Sequence, residues 1–235
     1  MESLLPSFKE FIALEDETLK LLHDHLSQRK TFAHVSGLIK QRWGAKFKPT
    51  GTFQFLMYWD VPYTDMECRL ILGADIWKQE DGASISNASY CIFVIEGTNE
   101  PMKILRKFHF DYITERGDRR EPHPRFHLQY CGGLPPAAET LGITDALMKP
   151  LEPDVDGPRI FFNPMTLGLL MNMAFYEFPC DDTEVIRKSG EWQNLVRENE
   201  KQVLVPFYKR CAELAGNKKF VFFEKVYVWP KAYTS

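Results

Sequence analysis

The sequence predicts an α+β fold: an antiparallel meander of about six strands with helices toward the N- and C-terminal ends. Three observations carry this. Apolar residues recur at helical spacing near both ends, residues 52–130 alternate with period two between short polar links, and Lys219 to Trp229 forms a final apolar run. A chain of 235 residues with 44% hydrophobic and 26% charged residues is long enough to bury a substantial core, so we read it as one domain.

Residues 7–28 place Phe8, Phe11, Ile12, Leu14, Leu19, Leu22 and Leu26 on a mostly helical spacing, interrupted by Glu15-Asp16-Glu17. Thr31 is a candidate cap for a second helix through Val35, Leu38, Ile39 and Trp43, ended by Gly44, so 1–48 reads as a helical region. The period then changes. Strands are expected at 52–59, 67–78, 87–96, 102–113 and 122–130, separated by turn chemistry such as Glu80-Asp81-Gly82. Such a meander can keep one face on the core and leave the other wet.

Residues 132–163 are rich in Gly-Gly, Pro-Pro, Lys-Pro and Gly-Pro dipeptides and read as a long loop, with 134–158 expected to be mobile and to reach toward the polar hairpin face. Asn163-Pro164 then opens a helix carrying Leu167, Leu170, Met171, Ala174, Phe175 and Phe178. Asp181 and Glu184 suggest a capping box for the last helical region, which Ser189-Gly190 and Pro206 are expected to break or kink before Gly216. The apolar run 219–229 is expected to add a strand to the sheet.

Composition excludes several classes. Cys68, Cys91, Cys131, Cys180 and Cys211 lie 23 to 49 residues apart with no CxxC pair, which argues against a disulfide framework or a thiolate zinc site. A net charge of −3 excludes a generally basic nucleic-acid coat. No apolar run approaches the roughly 20 residues that span a bilayer, and the acidic start is unlike a signal peptide, so a cytoplasmic protein without membrane attachment is expected.

The functional argument rests on the hairpin from 102 to 130. In its first strand Ile104, Phe108, Phe110 and Tyr112 fall on one face; Lys107, His109 and Asp111 fall on the other. The second strand repeats the division, with Phe126 and Leu128 opposed to His123, Arg125, His127 and Gln129. A register pairing 109 with 127 also pairs 111 with 125, at Cβ separations of about 4.5–5.5 Å. A shift by two preserves the faces, whereas a shift by one destroys the cluster.

Two imidazoles, a carboxylate and a guanidinium suit phosphodiester cleavage without a cofactor. His109 and His127 would act as base and acid, Asp111 would orient an imidazole or hold Arg125, and Arg125 would stabilise phosphate charge, with His123, Gln129 and Lys107 lining the substrate. RNA fits because its 2′-hydroxyl can be the nucleophile. Between 103 and 129 seven Lys or Arg face four Asp or Glu, a local excess of +3 that suits a phosphate backbone. The same atoms admit two other readings: a nitrogen and oxygen metal site built on His123, His127 and His109 or Asp111, and a wet sheet face whose Asp111–Arg125 pair has no chemistry. Cys131 as a nucleophile and an Asp75–Glu96 carboxylate set are weaker candidates.

The order Phe108-His109-Phe110-Asp111-Tyr112, then His123-Pro124-Arg125-Phe126-His127, then Pro158-Arg159-Ile160 before a helix, resembles the toxin half of TumE-type bacterial toxin and antitoxin pairs over about 60 residues. This chain is longer, lacks that family's denser histidine run and has the extra 132–158 segment. The resemblance implies a nucleic-acid-directed toxin or defence component with a neutralising partner, and it carries over Asp111, His123 and His127. A non-catalytic interaction subunit with a protein partner is the alternative from a different class.

Overall fold

The computed structural model describes residues 5–26, 52–63, 66–79, 82–96, 103–113, 123–130, 160–216 and 227–228. Helix α1 (Phe8–Leu26) precedes four long strands, β1 (Thr52–Tyr63), β2 (Met66–Lys78), β3 (Ile85–Glu96) and β4 (Lys103–Ile113). Short strands β5 (His123–Pro124), β6 (Phe126–Gln129) and β7 (Ile160–Phe161) follow. Then come α2 (Leu167–Glu177), α3 (Asp181–Lys188), α4 (Gly190–Asn199), a π turn (Glu200–Leu204), α5 (Val205–Gly216) and β8 (Tyr227–Val228). The α+β antiparallel architecture is as the period-two pattern predicts: the main sheet has the order β1-β2-β3-β4-β6-β7 and every pairing is antiparallel.

Even-numbered strand residues build the core. Leu70, Leu72, Ala74 and Ile76 of β2, Tyr90, Ile92 and Val94 of β3, Phe110 and Tyr112 of β4 and Phe126 of β6 join Phe11, Leu14 and Leu22 of α1, Leu170, Met171 and Phe175 of α2, and Trp192 of α4 in one cluster. Each large apolar side chain withdrawn from water contributes about 1.5–3 kcal/mol. Ring contacts tie the layers together: Tyr112 stacks on Phe126 at 4.6 Å, Phe126 meets Phe207 edge-on at 5.1 Å, and Phe175 meets Trp192 at 5.1 Å.

The opposite face is not the wet surface expected from the hairpin. Ile71, Phe93 and Ile95 are fully buried there, and Cys91 and Asp75 are buried beside them. The reason is legible in β2 and β3, whose runs Leu70-Ile71-Leu72 and Cys91 to Ile95 are apolar at both parities, the composition of strands covered on two sides.

Several boundaries move for local reasons. Helix α1 runs unbroken through Glu15-Asp16-Glu17. Helix α2 starts at Leu167 rather than Pro164, because the Thr166 hydroxyl accepts the Leu169 amide and the Glu15 carboxyl group accepts the Leu167 amide. At α3 the cap is Cys180, whose amide donates to Thr183 Oγ1 at 2.9 Å; Asp181 and Glu184 lie inside the first turn, and Glu184 pairs with Arg187 and Lys188. Ser189 does break the helix and caps α4 through the Trp192 amide. Pro206 does not break the next one. Proline has no amide proton to give the carbonyl four residues back, and the helix absorbs this in a π turn in which the Val205 amide bonds Glu200 O.

The C-terminal strand is also placed differently. Tyr227 and Val228 pair with Pro124 and His123 in a separate two-stranded sheet, because β7, from the segment expected to be loop, occupies the β6 edge through His127↔Phe161 and Leu128↔Ile160. Gly82 (φ 73°) makes the β2–β3 turn where a left-handed residue is needed, its amide donating to Gln79 O. The predicted helix from Thr31 to Gly44, the segment 134–158 and Cys131 lie outside the described residues.

Candidate functional site

The expected separation of faces is present. His109 and Asp111 on β4 and His127 and Gln129 on β6 have odd parity, away from Phe108, Phe110, Phe126 and Leu128, which belong to or pack against the helical core. The register, however, pairs His109 with Gln129 and Asp111 with His127, two residues from the expected 109–127 pairing. Since the shift is even, every side chain keeps its face. Extending the ladder gives two transverse rows: Asp75, Ser89, Asp111 and His127 across β2, β3, β4 and β6, and next to it Gly73, Cys91, His109 and Gln129.

Asp111 is the centre. Its Oδ1 accepts the Ser89 hydroxyl at 2.5 Å and its Oδ2 lies 3.4 Å from His127 Nε2. Burial alone would push its carboxyl up, but the hydrogen bonds from His127 and Ser89 and the charges of His109 and His127 together outweigh burial, so it is held below the usual carboxylate range. Asp111 therefore stands ionised between two imidazoles. Because Ser89 donates to Asp111, the arrangement is not that of a nucleophilic serine, which requires its hydroxyl to face the imidazole.

Access divides the residues. His127 is 2% exposed, whereas His109 and Lys107 are half-buried. Phe93 links these two: its ring meets His109 edge-on at 5.7 Å, and Lys107 Nζ lies 5.7 Å from its centroid. Cys91, beside His109, donates to Gly73 O, and burial pushes its thiol up, so it is an inert neighbour rather than a nucleophile.

Arg125 and His123 do not join the row as expected. The strand 122–130 divides at Arg125 into β5 and β6, and His123 pairs its backbone with Val228 outside the main sheet. Pro124, with no amide proton, sits in the short separate strand rather than in the main ladder. Arg125 accepts the Ile113 amide through its backbone, and its charge acts on Tyr112, whose phenol burial pushes up to about 12 against that opposing influence. It is not among the groups acting on Asp111, so the expected Asp111–Arg125 pair is replaced by Asp111–His127. Among the described residues no three His, Cys, Asp or Glu side chains are grouped to hold a metal ion, and no helix is long and apolar enough to cross a membrane.

Sequence reasoning missed Ser89, and it offered Asp75 only as the partner of Glu96, whereas the register sets Asp75 opposite Ser89 in the row of Asp111. A lone serine in an apolar strand gives no signal until the β3–β4 register aligns it. It missed Glu15 too, a charged residue read as an interruption of α1. Compared with family models, with curated proteins and with solved structures, the chain matches none of them.

Proposed function

We propose that this chain is a nucleic-acid-directed protein of toxin or defence type that acts on RNA at the His109–Asp111–His127 row. One observation carries the reading: an ionised, part-buried carboxylate flanked by two imidazoles on adjacent strands. An imidazole beside a carboxylate is a proton-transfer group suited to a 2′-hydroxyl and a leaving 5′-oxygen near neutral pH. His109, half-buried as a residue although its Nε2 is shielded from solvent, is the catalytic candidate. Asp111 orients the imidazoles, and Lys107 supplies positive charge on the same face for a phosphate. Burial makes His127 a positioning residue behind Asp111 rather than the second catalytic base or acid. The likeness to TumE-type toxins enters through Asp111 and His127, the two carried residues that meet; His123 stands on the other sheet.

The test is cleavage of single-stranded RNA by the purified protein in the presence of chelator. His109→Ala is expected to lower the rate by about 10²–10⁴-fold, and Lys107→Ala to weaken binding with a smaller salt dependence. A non-catalytic interaction subunit is the second reading, favoured by the near-complete burial of His127 and by the way Ser89, Asp111 and His127 satisfy one another. Absence of RNA hydrolysis above background, or unchanged cleavage in His109→Ala, selects it.

A further inference from the structure

On the face of the sheet that carries the histidine row, the side chains within reach of solvent form one strip. The ladder sets Trp77 opposite Asn87 in the row next to Asp75, Ser89, Asp111 and His127; beyond that row come Cys91 with His109, and then Phe93 with Lys107. Asp75, Cys91, Phe93 and His127 are buried, whereas Lys107, His109, Asp111, Ser89 and Asn87 are half-buried and Trp77 is 36% exposed. The strip therefore follows β4 from Lys107 to Asp111, crosses β3 at Ser89 and Asn87, and ends on the Trp77 ring.

The backbone beneath that ring is fixed. A bulge follows between Trp77 and Lys78, and the Ser86 hydroxyl donates to Trp77 O at 3.2 Å. With strands about 4.8 Å and rows about 6.7 Å apart, the Trp77 α-carbon stands about 12 Å from that of Asp111 and about 16 Å from that of His109. Indole and imidazole leaning toward each other across that distance leave room for one nucleotide. Charge orders the strip as well. Lys107 gives its far end a cation, while passing from Trp77 over uncharged Asn87 and Ser89 the first charge met is the ionised Asp111 carboxylate. A phosphate is thus favoured at Lys107 and disfavoured beside Trp77, which leaves the Trp77 end to a neutral, flat group.

We infer that Trp77 is the stacking platform for the base next to the scissile phosphate of single-stranded RNA, and that Asn87 meets the edge of that base and selects adenine. An unpaired base presents a π-face that an indole covers. The Asn87 side chain starts about 4.5–5.5 Å from that of Trp77 as its directly opposite neighbour, and a carboxamide offers the donor and acceptor that adenine N7 and N6 require. This assignment rests on the RNA reading of the histidine row and adds to it a substrate class and two residues that make no contact with the chemistry: Lys107 holds a phosphate, His109 and Asp111 act on the bond, and Trp77 holds the base.

The experiment is fluorescence anisotropy of the full chain with a labelled 2′-O-methyl oligoadenylate, which lacks the nucleophilic hydroxyl and stays intact, beside the matching oligouridylate. The wild type is expected to bind the adenine oligomer more tightly. Trp77→Ala is expected to weaken that binding at least fivefold, Trp77→Phe, which keeps a ring, to retain most of it, and Asn87→Ala to abolish the preference for adenine over uracil. Equal affinity of Trp77→Ala and wild type overturns the inference and leaves Trp77 to a protein partner or to no ligand. A loss in Trp77→Phe as large as in Trp77→Ala also overturns it, because the effect is then structural rather than stacking, as does an unchanged base preference in Asn87→Ala. Cleavage of unmodified RNA by the same wild-type preparation separates the two readings: cleavage without any effect of Trp77→Ala on binding refutes the platform alone, whereas neither cleavage nor binding by the wild type refutes the RNA reading and the platform with it.

Discussion

Glu15 is the place where a single titration governs stability. Its side chain is fully buried in the helical layer, accepting the Tyr90 hydroxyl at 2.8 Å and the Leu167 amide at 3.0 and 3.1 Å. Burial raises its carboxyl to about 8; the bonds from Tyr90 and Leu167 oppose that without offsetting it, and Asp16 adds to it. From an ordinary value of 4.5, this makes ionisation in place unfavourable by on the order of 5 kcal/mol. The folded chain thus binds a proton that the unfolded chain has released between pH 4.5 and 8, so stability is full below 4.5 and falls as pH rises to about 8. The slope approaches about 1.4 kcal/mol per pH unit. Helix α1 does not detach on its own, because Phe8, Phe11, Ile12, Leu14, Leu19 and Leu22 are all buried and each contributes about 1.5–3 kcal/mol. The loss appears instead as global stability. Glu15→Gln mimics the protonated acid, keeping an acceptor oxygen while removing the titration. Urea unfolding at pH 5, 6, 7 and 8 is the assay: the wild type is expected to lose several kcal/mol across the series and Glu15→Gln to lose much less. A flat wild-type profile, or the same slope in Glu15→Gln, refutes the reasoning.

The remaining predictions concern packing and the candidate site. His127→Ala is expected to destabilise the fold by about 1–3 kcal/mol, since it removes a buried partner of Asp111, whereas half-buried His109→Ala changes the urea midpoint less while lowering any RNA cleavage more. Ser89→Ala removes the 2.5 Å bond that helps keep Asp111 ionised, so the Asp111 carboxyl is expected to titrate at higher pH than in the wild type, read by carbon-detected NMR. Gly168→Ala is expected to destabilise by about 1–3 kcal/mol rather than give the roughly 1 kcal/mol gain of alanine over glycine in a helix. A Cβ there meets Asn199 Nδ2 at 2.9 Å, and Asn199 cannot yield because it is held by Thr166 Oγ1 and Leu195 O. Thermal melts decide the sign, and combining Gly168→Ala with Asn199→Ala is expected to relieve the clash.

What the sequence determined by itself is what depends on local periodicity. The alternation in 67–78, 87–96 and 102–113 places β2, β3 and β4 within two residues, because side chains on a strand alternate whatever lies around them. The same rule puts His109, Asp111 and His127 on one face and Phe110 and Phe126 on the other, and it survives the register difference because that difference is even. Tertiary structure decided which residues meet. Pairing His127 rather than Arg125 with Asp111 depends on where the hairpin closes, and the pairing of His123 with Val228 and Pro124 with Tyr227 draws the start of the strand into another sheet. Ser89 becomes the second partner of Asp111 only once β3 lies beside β4. Burial of the second face required both parities of β2 and β3 to be weighed together, and the polar hairpin alone suggested water. Glu15 shows the limit most plainly: along the chain it is one of three successive acids, and only the arrival of Tyr90 and the start of α2, 75 and 152 residues away, supplies the hydrogen bonds that let a carboxyl sit in the core.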